Sequence, residues 1–166
     1  MIDITAVLAA NRAAVEDLVA AAEASSARWT TPRAPGKWSP AQVVEHVALS
    51  LEEGANVVAG RPTKLPSLPF FIRPLARIFF NRVVRTGKFP TAKAAQDMKP
   101  EVGPATPADA RPRLEQALAA FERECTARAS SDGIAPSQAF GKVSVADYMR
   151  FTELHTRHHI KQMSAR

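Results

Sequence analysis

The chain has 166 residues, of which 46% are hydrophobic and 23% charged, a size and composition typical of one globular domain rather than a disordered chain. We therefore expect a single domain over residues 1–166. The one cysteine, Cys125, excludes an internal disulfide framework and a cysteine-rich zinc module. The net charge of +6 belongs to one segment, since residues 60–100 carry +8 and the remainder of the chain carries −2.

The first residues and the hydropathy of the chain set an expectation for where the protein resides. Residues 1–5 lack the basic start of a secretory signal, and no run of about 18 apolar residues is present that could span a membrane. We expect a cytoplasmic protein without a transmembrane segment.

Two amphipathic helices are predicted in the first 60 residues. Residues 3–25 place apolar side chains at helical spacing and form helix one. Helix two begins with a strong signal, because Ser39 is a good N-cap, Pro40 suits the first helical position and Gln42 completes a capping box. The apolar pattern of helix two continues to about Ala59.

Residues 60–104 are predicted to form an irregular, proline-rich and basic insert, with a short helix from Leu75 to Arg85. Two interpretations stay open. In the first, its aromatic residues pack on the bundle or on a second subunit and its arginines face water. In the second, the insert is a basic amphipathic surface for anionic lipid or nucleic acid. Since no nucleic-acid-binding motif is present, we expect no nucleic-acid partner.

Two more helices are predicted after the insert. Helix three begins near Asp109, and its apolar stripe includes Cys125, which is predicted to be a core residue rather than a nucleophile. Residues 130–142 are predicted to be a turn-rich loop, and helix four begins at Ser144 and continues to about Met163. Four long helices with no credible strand predict an all-α bundle.

Three of the four histidines lie within five residues of helix four. His155 and His159 are one turn apart and share a face, with His158 at its edge, while His46 lies beside the apolar stripe of helix two. Neutral imidazoles are good ligands for zinc, nickel, copper or iron(II), so a divalent-metal site follows if the fold brings these helices together. The alternatives are that His46 is a hydrogen-bonded packing residue, that the helix-four pair arises by chance, and that His158 is solvated.

Two segments share a pattern that extends beyond the histidines. The first is Trp38-Ser-Pro-Ala-Gln-Val-Val-Glu-His46-Val, and the second combines Phe140-Gly-Lys-Val-Ser with His155-Thr-Arg-His-His159-Ile-Lys-Gln162. In their order and helical context they resemble the DinB-like superfamily of metal-binding four-helix bundles, which includes YfiT-type proteins. The resemblance implies an up-down-down-up bundle, with the insert between helices two and three, whose metal ligands are His46, His155 and His159.

The resemblance also implies a range of activities. The superfamily contains S-transferases that use low-molecular-weight thiols such as bacillithiol or mycothiol, and metal-dependent hydrolases, so a homodimer with zinc or nickel and a small-molecule substrate is expected. Three neutral ligands would leave the metal with its full charge and an open position, suited to acidifying a bound water or to holding a thiolate. The alternatives are a non-enzymatic, stress-related metal-binding bundle and a peripheral anionic-surface binder that acts through the insert.

A hydrolase at such a metal needs a general base or acid. Helical geometry makes Glu45 and Glu53 on helix two, and Tyr148 on helix four, candidates for this role. Gln162, less than one turn beyond the histidine pair, can orient a ligand or a bound water.

Overall fold

The computed structural model describes residues 3–65, 67–89 and 98–164. Pro66 and residues 90–97 of the predicted insert, with the charged side chains of Lys93 and Asp97, lie outside the described residues. In chain order the elements are α1 (Ile4–Ala24), α2 (Pro40–Ala59), α3 (Arg73–Thr86), α4 (Ala110–Ala129), β1 (Ile134–Ser137), β2 (Gly141–Ser144) and α5 (Val145–Ser164). Within the described ranges, no helix has both the length and the apolar character needed to cross a membrane.

The four long helices predicted from the sequence are confirmed as α1, α2, α4 and α5. The predicted start of α2 is also confirmed, since the Gln42 backbone N–H donates to Ser39 Oγ and the Ser39 backbone N–H donates to the Gln42 side chain. At the start of α5, the Asp147 backbone N–H donates to Ser144 Oγ at 3.1 Å. Local hydrogen bonds thus set where α2 and α5 begin, while the apolar pattern along each helix sets which residues face the core.

The helices pack with α1 mainly along α5 and α2 mainly along α4, while α2 also contacts α5. Their buried side chains form one hydrophobic core that includes Leu18, Leu51 and Phe121. Gly54 lets α4 approach α2 closely, because a Cβ at this position would lie 3.1 Å from Cε2 of Phe121. Cys125 is fully buried in this core, and its burial raises the pKa of the thiol to about 12, so the prediction of a core residue is confirmed.

The expectation that the chain has no strand is wrong. Residues 130–142 were predicted to be a loop, but β1 and β2 form a two-stranded antiparallel hairpin in which Ile134 pairs with Ser144 and Ser137 with Gly141. Each strand has only four residues, too few for an alternating pattern to stand out from a loop. The hairpin leads directly into α5, since the Val145 N–H donates to the carbonyl of Gly133.

The insert is attached to the bundle at both ends. At its start, the buried carboxylate of Glu53 accepts hydrogen bonds from Thr63 Oγ1 at 2.7 Å and from the Lys64 backbone N–H at 2.8 Å. At its end, Trp29 Nε1 donates to the Pro104 carbonyl at 2.8 Å. The short helix predicted between these ends is confirmed as α3, which packs on α5 through Phe80.

Gly103 packs closely against the backbone of α2, and its substitution should destabilise the protein. A Cβ at Gly103 would lie 2.1 Å from the backbone oxygen of Ala41, so the backbone of one segment must move. We expect Gly103→Ala to lower the free energy of unfolding by about 2 kcal/mol or more. The neighbouring exposed position gives the control, and Val102→Ala should change stability by less than about 0.5 kcal/mol in urea denaturation. Equal effects of the two substitutions would contradict this packing.

Candidate metal centre

Three histidine side chains from two helices meet at one point. His46 comes from α2, and His155 and His159 come from successive turns of α5. The Nε2 atom of His155 lies 3.4 Å from Nε2 of His46 and 3.1 Å from Nε2 of His159. One nitrogen from each residue lies within 4.8 Å of the others, so the group could hold a metal ion. The fold therefore brings together the three histidines that the sequence singled out.

The protein itself determines which nitrogen of His46 carries a proton. Nδ1 of His46 lies 2.7 Å from the carbonyl oxygen of Met98, at the end of the insert. A carbonyl can only accept a hydrogen bond, so Nδ1 must be the donor. The remaining nitrogen, Nε2, then presents a lone pair toward the other two histidines.

His159 is fixed in a similar way by a side chain of its own helix. Its Nδ1 lies 3.1 Å from Oε1 of Gln162, and Nε2 of Gln162 lies 3.0 Å from Nε2 of His158. In the arrangement that satisfies both contacts, the Gln162 amide accepts from His159 and donates to His158. Nε2 of His159 is consequently a second lone pair directed at the cluster, which is the form that a metal ligand needs.

The donor set fits a divalent cation. With lone pairs on Nε2 of both His46 and His159, a single N–H from His155 Nε2 cannot satisfy the cluster as well as a cation bound to all three nitrogens. The separations of 3.1 and 3.4 Å lie on either side of the edge of a zinc–nitrogen tetrahedron, which is about 3.3 Å for bonds of about 2.05 Å. His158 contributes no nitrogen to this set and contacts the site through Gln162.

The surroundings keep the three imidazoles in the neutral state that binds metals. Burial is the largest cause in each case: it lowers the pKa of His46, and it lowers the pKa of His159 to about 3. Desolvation, followed by the neighbouring His159 and His46, lowers the pKa of His155 well below its ordinary value. No proton therefore competes strongly for these nitrogens at neutral pH.

Two aromatic side chains that the sequence did not mark as site residues cover the histidines. The ring of Trp38, just before the N-cap of α2, lies 4.6 Å from the ring of His46 and 6.0 Å from that of His159. The ring of Phe89, in the insert, lies 5.3 Å from that of His155. His46 and His159 are buried, whereas residue His155 has intermediate exposure.

Comparison with known proteins agrees with these observations. A sequence model of the DinB superfamily matches residues 7–163, which is nearly the whole chain. The chain belongs to the DinB superfamily. The matched segment contains all three converging histidines, and the resemblance inferred from the two motifs is confirmed. Searches of curated proteins and of solved structures gave no significant match.

The other site candidates of this DinB-superfamily chain have different surroundings. Gln162 contacts two histidines, as described above. Glu45 forms an ion pair with Arg113 at 2.8 Å, and Glu53 is held by Thr63 and Lys64 of the insert. Tyr148 is buried beside Phe121, and desolvation raises the pKa of its phenol. The structure thus places Gln162 at the histidines and gives the three acid–base candidates partners elsewhere.

The lowered pKa values predict that the metal-free protein loses stability in mild acid. In the unfolded chain a histidine titrates near about 6.5, whereas folding lowers the pKa of His46, His155 and His159. Below about pH 6.5 the unfolded state binds more protons, so the free energy of unfolding should fall, by up to about 1.4 kcal/mol per pH unit for each such proton. Urea denaturation of chelator-treated protein between about pH 7 and about pH 5 measures this slope.

A matched pair of variants tests whether the pH dependence of stability arises from the three clustered histidines. His159→Gln removes one buried titrating group and should flatten the pH dependence. His158→Ala should flatten it less, because the His158 side chain is less buried than that of His159. A slope that is the same in the wild type and in His159→Gln would contradict the interpretation.

Proposed function

We propose that this DinB-superfamily chain is a metal-dependent enzyme whose divalent ion, zinc or nickel, is bound by His46, His155 and His159. The observation that supports the proposal best is the convergence of three Nε2 atoms, two of which are presented as lone pairs by the Met98 carbonyl and the Gln162 amide. Three nitrogen ligands leave a coordination position for a reactant, which is the pattern of catalytic rather than structural sites.

In the proposed site, the metal and the protein side chains contribute differently to the reaction. A bound divalent ion supplies Lewis acidity, which can polarise a carbonyl group or stabilise a thiolate near neutral pH. The protein keeps the imidazoles neutral by burial and orients two of them by hydrogen bonds at Nδ1. Trp38 and Phe89 present apolar rings to the histidines and limit the access of water from those directions.

Between the two reaction classes, the surroundings favour transfer to a low-molecular-weight thiol over hydrolysis. A hydrolase needs a carboxylate or another base close to the metal. Glu45 is paired with Arg113, and Glu53 accepts two hydrogen bonds from the insert, so neither carboxylate is available without breaking these contacts. A thiol depends less on such a base than water does, because its pKa of about 8.5 lies closer to neutrality and the proton that it loses on binding a metal can pass to solvent. Hydrolysis remains the second candidate, with Glu53 or Tyr148 as the acid–base group.

The superfamily assignment supports three further parts of the proposal. We infer the up-down-down-up connectivity that the sequence resemblance implies, a small-molecule substrate, and a homodimer.

Removal of single ligands tests the site. After loading with zinc or nickel and desalting, the wild type should hold about one ion per chain, and His46→Ala, His155→Ala and His159→Ala should each lose most of it. His158→Ala is the matched control on the same helix and should retain the ion, because no nitrogen of His158 belongs to the converging group of three. Elemental analysis measures the ratio. Equal metal content in all four variants, or loss in His158→Ala alone, would overturn the assignment.

Gln162 should tune metal affinity without binding the metal. Gln162→Leu removes the acceptor that keeps the proton of His159 on Nδ1, so we expect affinity to fall by about 10- to 100-fold. The exposed neighbour Lys161 provides the control, and Lys161→Gln should leave affinity unchanged. Competition with a chelating dye measures both constants. Unchanged affinity in Gln162→Leu would show that this hydrogen bond does not orient the ligand.

Activity distinguishes an enzyme from a metal-stabilised bundle. Wild-type protein is assayed for consumption of a small electrophile with a low-molecular-weight thiol, and in parallel for hydrolysis of small amides and esters. We expect thiol-dependent turnover that stops on metal removal and returns with zinc or nickel. Turnover that persists in stripped, folded protein would contradict a metal-dependent mechanism, and unfolding on metal removal would indicate a structural ion.

A further inference from the structure

A large apolar surface lies on the part of the insert that faces away from the bundle. Phe70 and Phe71, in the turn before α3, are 79% and 67% exposed, and Leu75 and Ile78 on α3 are 67% and 65% exposed. The opposite side of α3 carries Phe80 and Val83, which are buried. The helix therefore has two apolar sides, and only one of them is covered by the part of the chain that the structure describes. We call Phe70, Phe71, Leu75 and Ile78 the exposed apolar face.

Basic residues continue the exposed apolar face along α3. Arg82 lies two turns beyond Leu75, Arg85 lies two turns beyond Ile78, and both are exposed. Residues 61–89 contain seven Lys and Arg and no acidic residue. Among the described residues, the only ion pair formed by this set is the one between Arg61 and Glu124. The face is thus apolar over its first half and positively charged over its second half.

This charge distribution argues against a second copy of the chain as the covering partner. A symmetric dimer places the same patch against itself, so Arg82 and Arg85 would be buried against a partner patch that carries no carboxylate to pair with them. The rings of Phe70 and Phe71, in the turn before α3, are largely exposed, and their centroids lie 5.7 Å apart. A lipid interface needs no matching groove, because headgroups and acyl chains deform around projecting rings.

We propose that the exposed apolar face docks on an anionic lipid bilayer. α3 would lie along the membrane surface, with Phe70, Phe71, Leu75 and Ile78 at the boundary of headgroups and acyl chains. Arg82 and Arg85 contact lipid phosphates, and the absence of acidic residues from 61–89 makes the whole approaching segment attractive to an anionic leaflet. The proposal is independent of the metal site, because none of these residues contributes a nitrogen to the histidine cluster.

Sedimentation with lipid vesicles tests the proposal on the full chain. Wild-type protein should bind vesicles of phosphatidylcholine mixed with phosphatidylserine, bind phosphatidylcholine vesicles weakly, and be released by about 0.5 M salt. Phe70→Ser/Phe71→Ser should lower the partition coefficient by about tenfold or more. Arg82→Gln/Arg85→Gln should lower it and reduce its dependence on salt. All four side chains are exposed, so the fold should be retained, as checked by circular dichroism.

Two matched controls lie outside the face. Val102 is 77% exposed, so Val102→Ser removes an equally exposed apolar side chain, and Arg33→Gln/Lys37→Gln removes two exposed charges from another loop. Both controls should bind mixed vesicles within about twofold of the wild type. Hydrogen exchange on the wild type needs no substitution and should slow at residues 70–85 when mixed vesicles are added.

Several results would overturn the proposal. Absence of binding to mixed vesicles would reject it directly. Binding that is unaffected by Phe70→Ser/Phe71→Ser would indicate general attraction of a basic protein to the vesicles. The same conclusion would follow if Arg33→Gln/Lys37→Gln weakened binding as much as Arg82→Gln/Arg85→Gln does. If the protein does not bind vesicles but forms a concentration-dependent dimer, and Phe70→Ser/Phe71→Ser abolishes that dimer, the exposed apolar face binds a second copy of the chain instead.

Discussion

The hydrogen bond between Nδ1 of His46 and the Met98 carbonyl is the constraint on which the proposed site most depends. At 2.7 Å it joins the end of the insert to the middle of α2 and makes Nε2 of a buried imidazole a lone-pair donor. Burial of such a lone pair costs free energy unless a partner satisfies it. Because His159 is fixed in a similar way by Gln162, two such donors are directed at one point, where a cation is the partner that satisfies both. Burial and hydrogen bonding thus both favour neutral imidazoles whose Nε2 lone pairs are directed at the centre of the histidine cluster.

The insert does more than connect α2 to α4. It provides the Met98 carbonyl to His46 and the Phe89 ring to His155, so it contacts ligands from both helices of the site. Its two ends are fixed independently, by hydrogen bonds to Glu53 at the start and by close packing of Gly103 on Ala41 at the return. These anchors explain how the insert can position groups that contact the proposed ligands. Between them, α3 packs one side on α5 and leaves the other uncovered.

Much of this arrangement was readable from the sequence because it depends on local signals. The Ser39 and Gln42 capping box set the start of α2, and the apolar pattern of the helix indicated the side on which His46 lies. The four-residue spacing of His155 and His159 indicated one ligand face on α5. The family resemblance implied that this face meets His46 of α2. Backbone groups carry no such signal, so the Met98 carbonyl could not be predicted. The hairpin was missed because four-residue strands are too short to show their period.

The roles of Trp38, Phe89 and Glu53 depended on tertiary structure and were not predictable from spacing. Tryptophan and phenylalanine side chains are common in protein cores, so their residue types alone do not indicate a site. Only the approach of α2, α5 and the insert places the rings of Trp38 and Phe89 next to the histidines. Glu53 was considered as an acid–base group because it lies two turns beyond His46, but its carboxylate accepts hydrogen bonds from the insert. Such assignments need the long-range contacts that only the fold supplies.

Anomalous diffraction from crystals of the zinc- or nickel-loaded protein would locate the ion among the three histidines. We expect one strong anomalous peak within about 2.0–2.2 Å of Nε2 of His46, His155 and His159, with Nδ1 of His46 still hydrogen-bonded to Met98. A peak bound to His158, a peak at Nδ1 of any of the three residues, or no peak in the histidine cluster of fully loaded protein would contradict it.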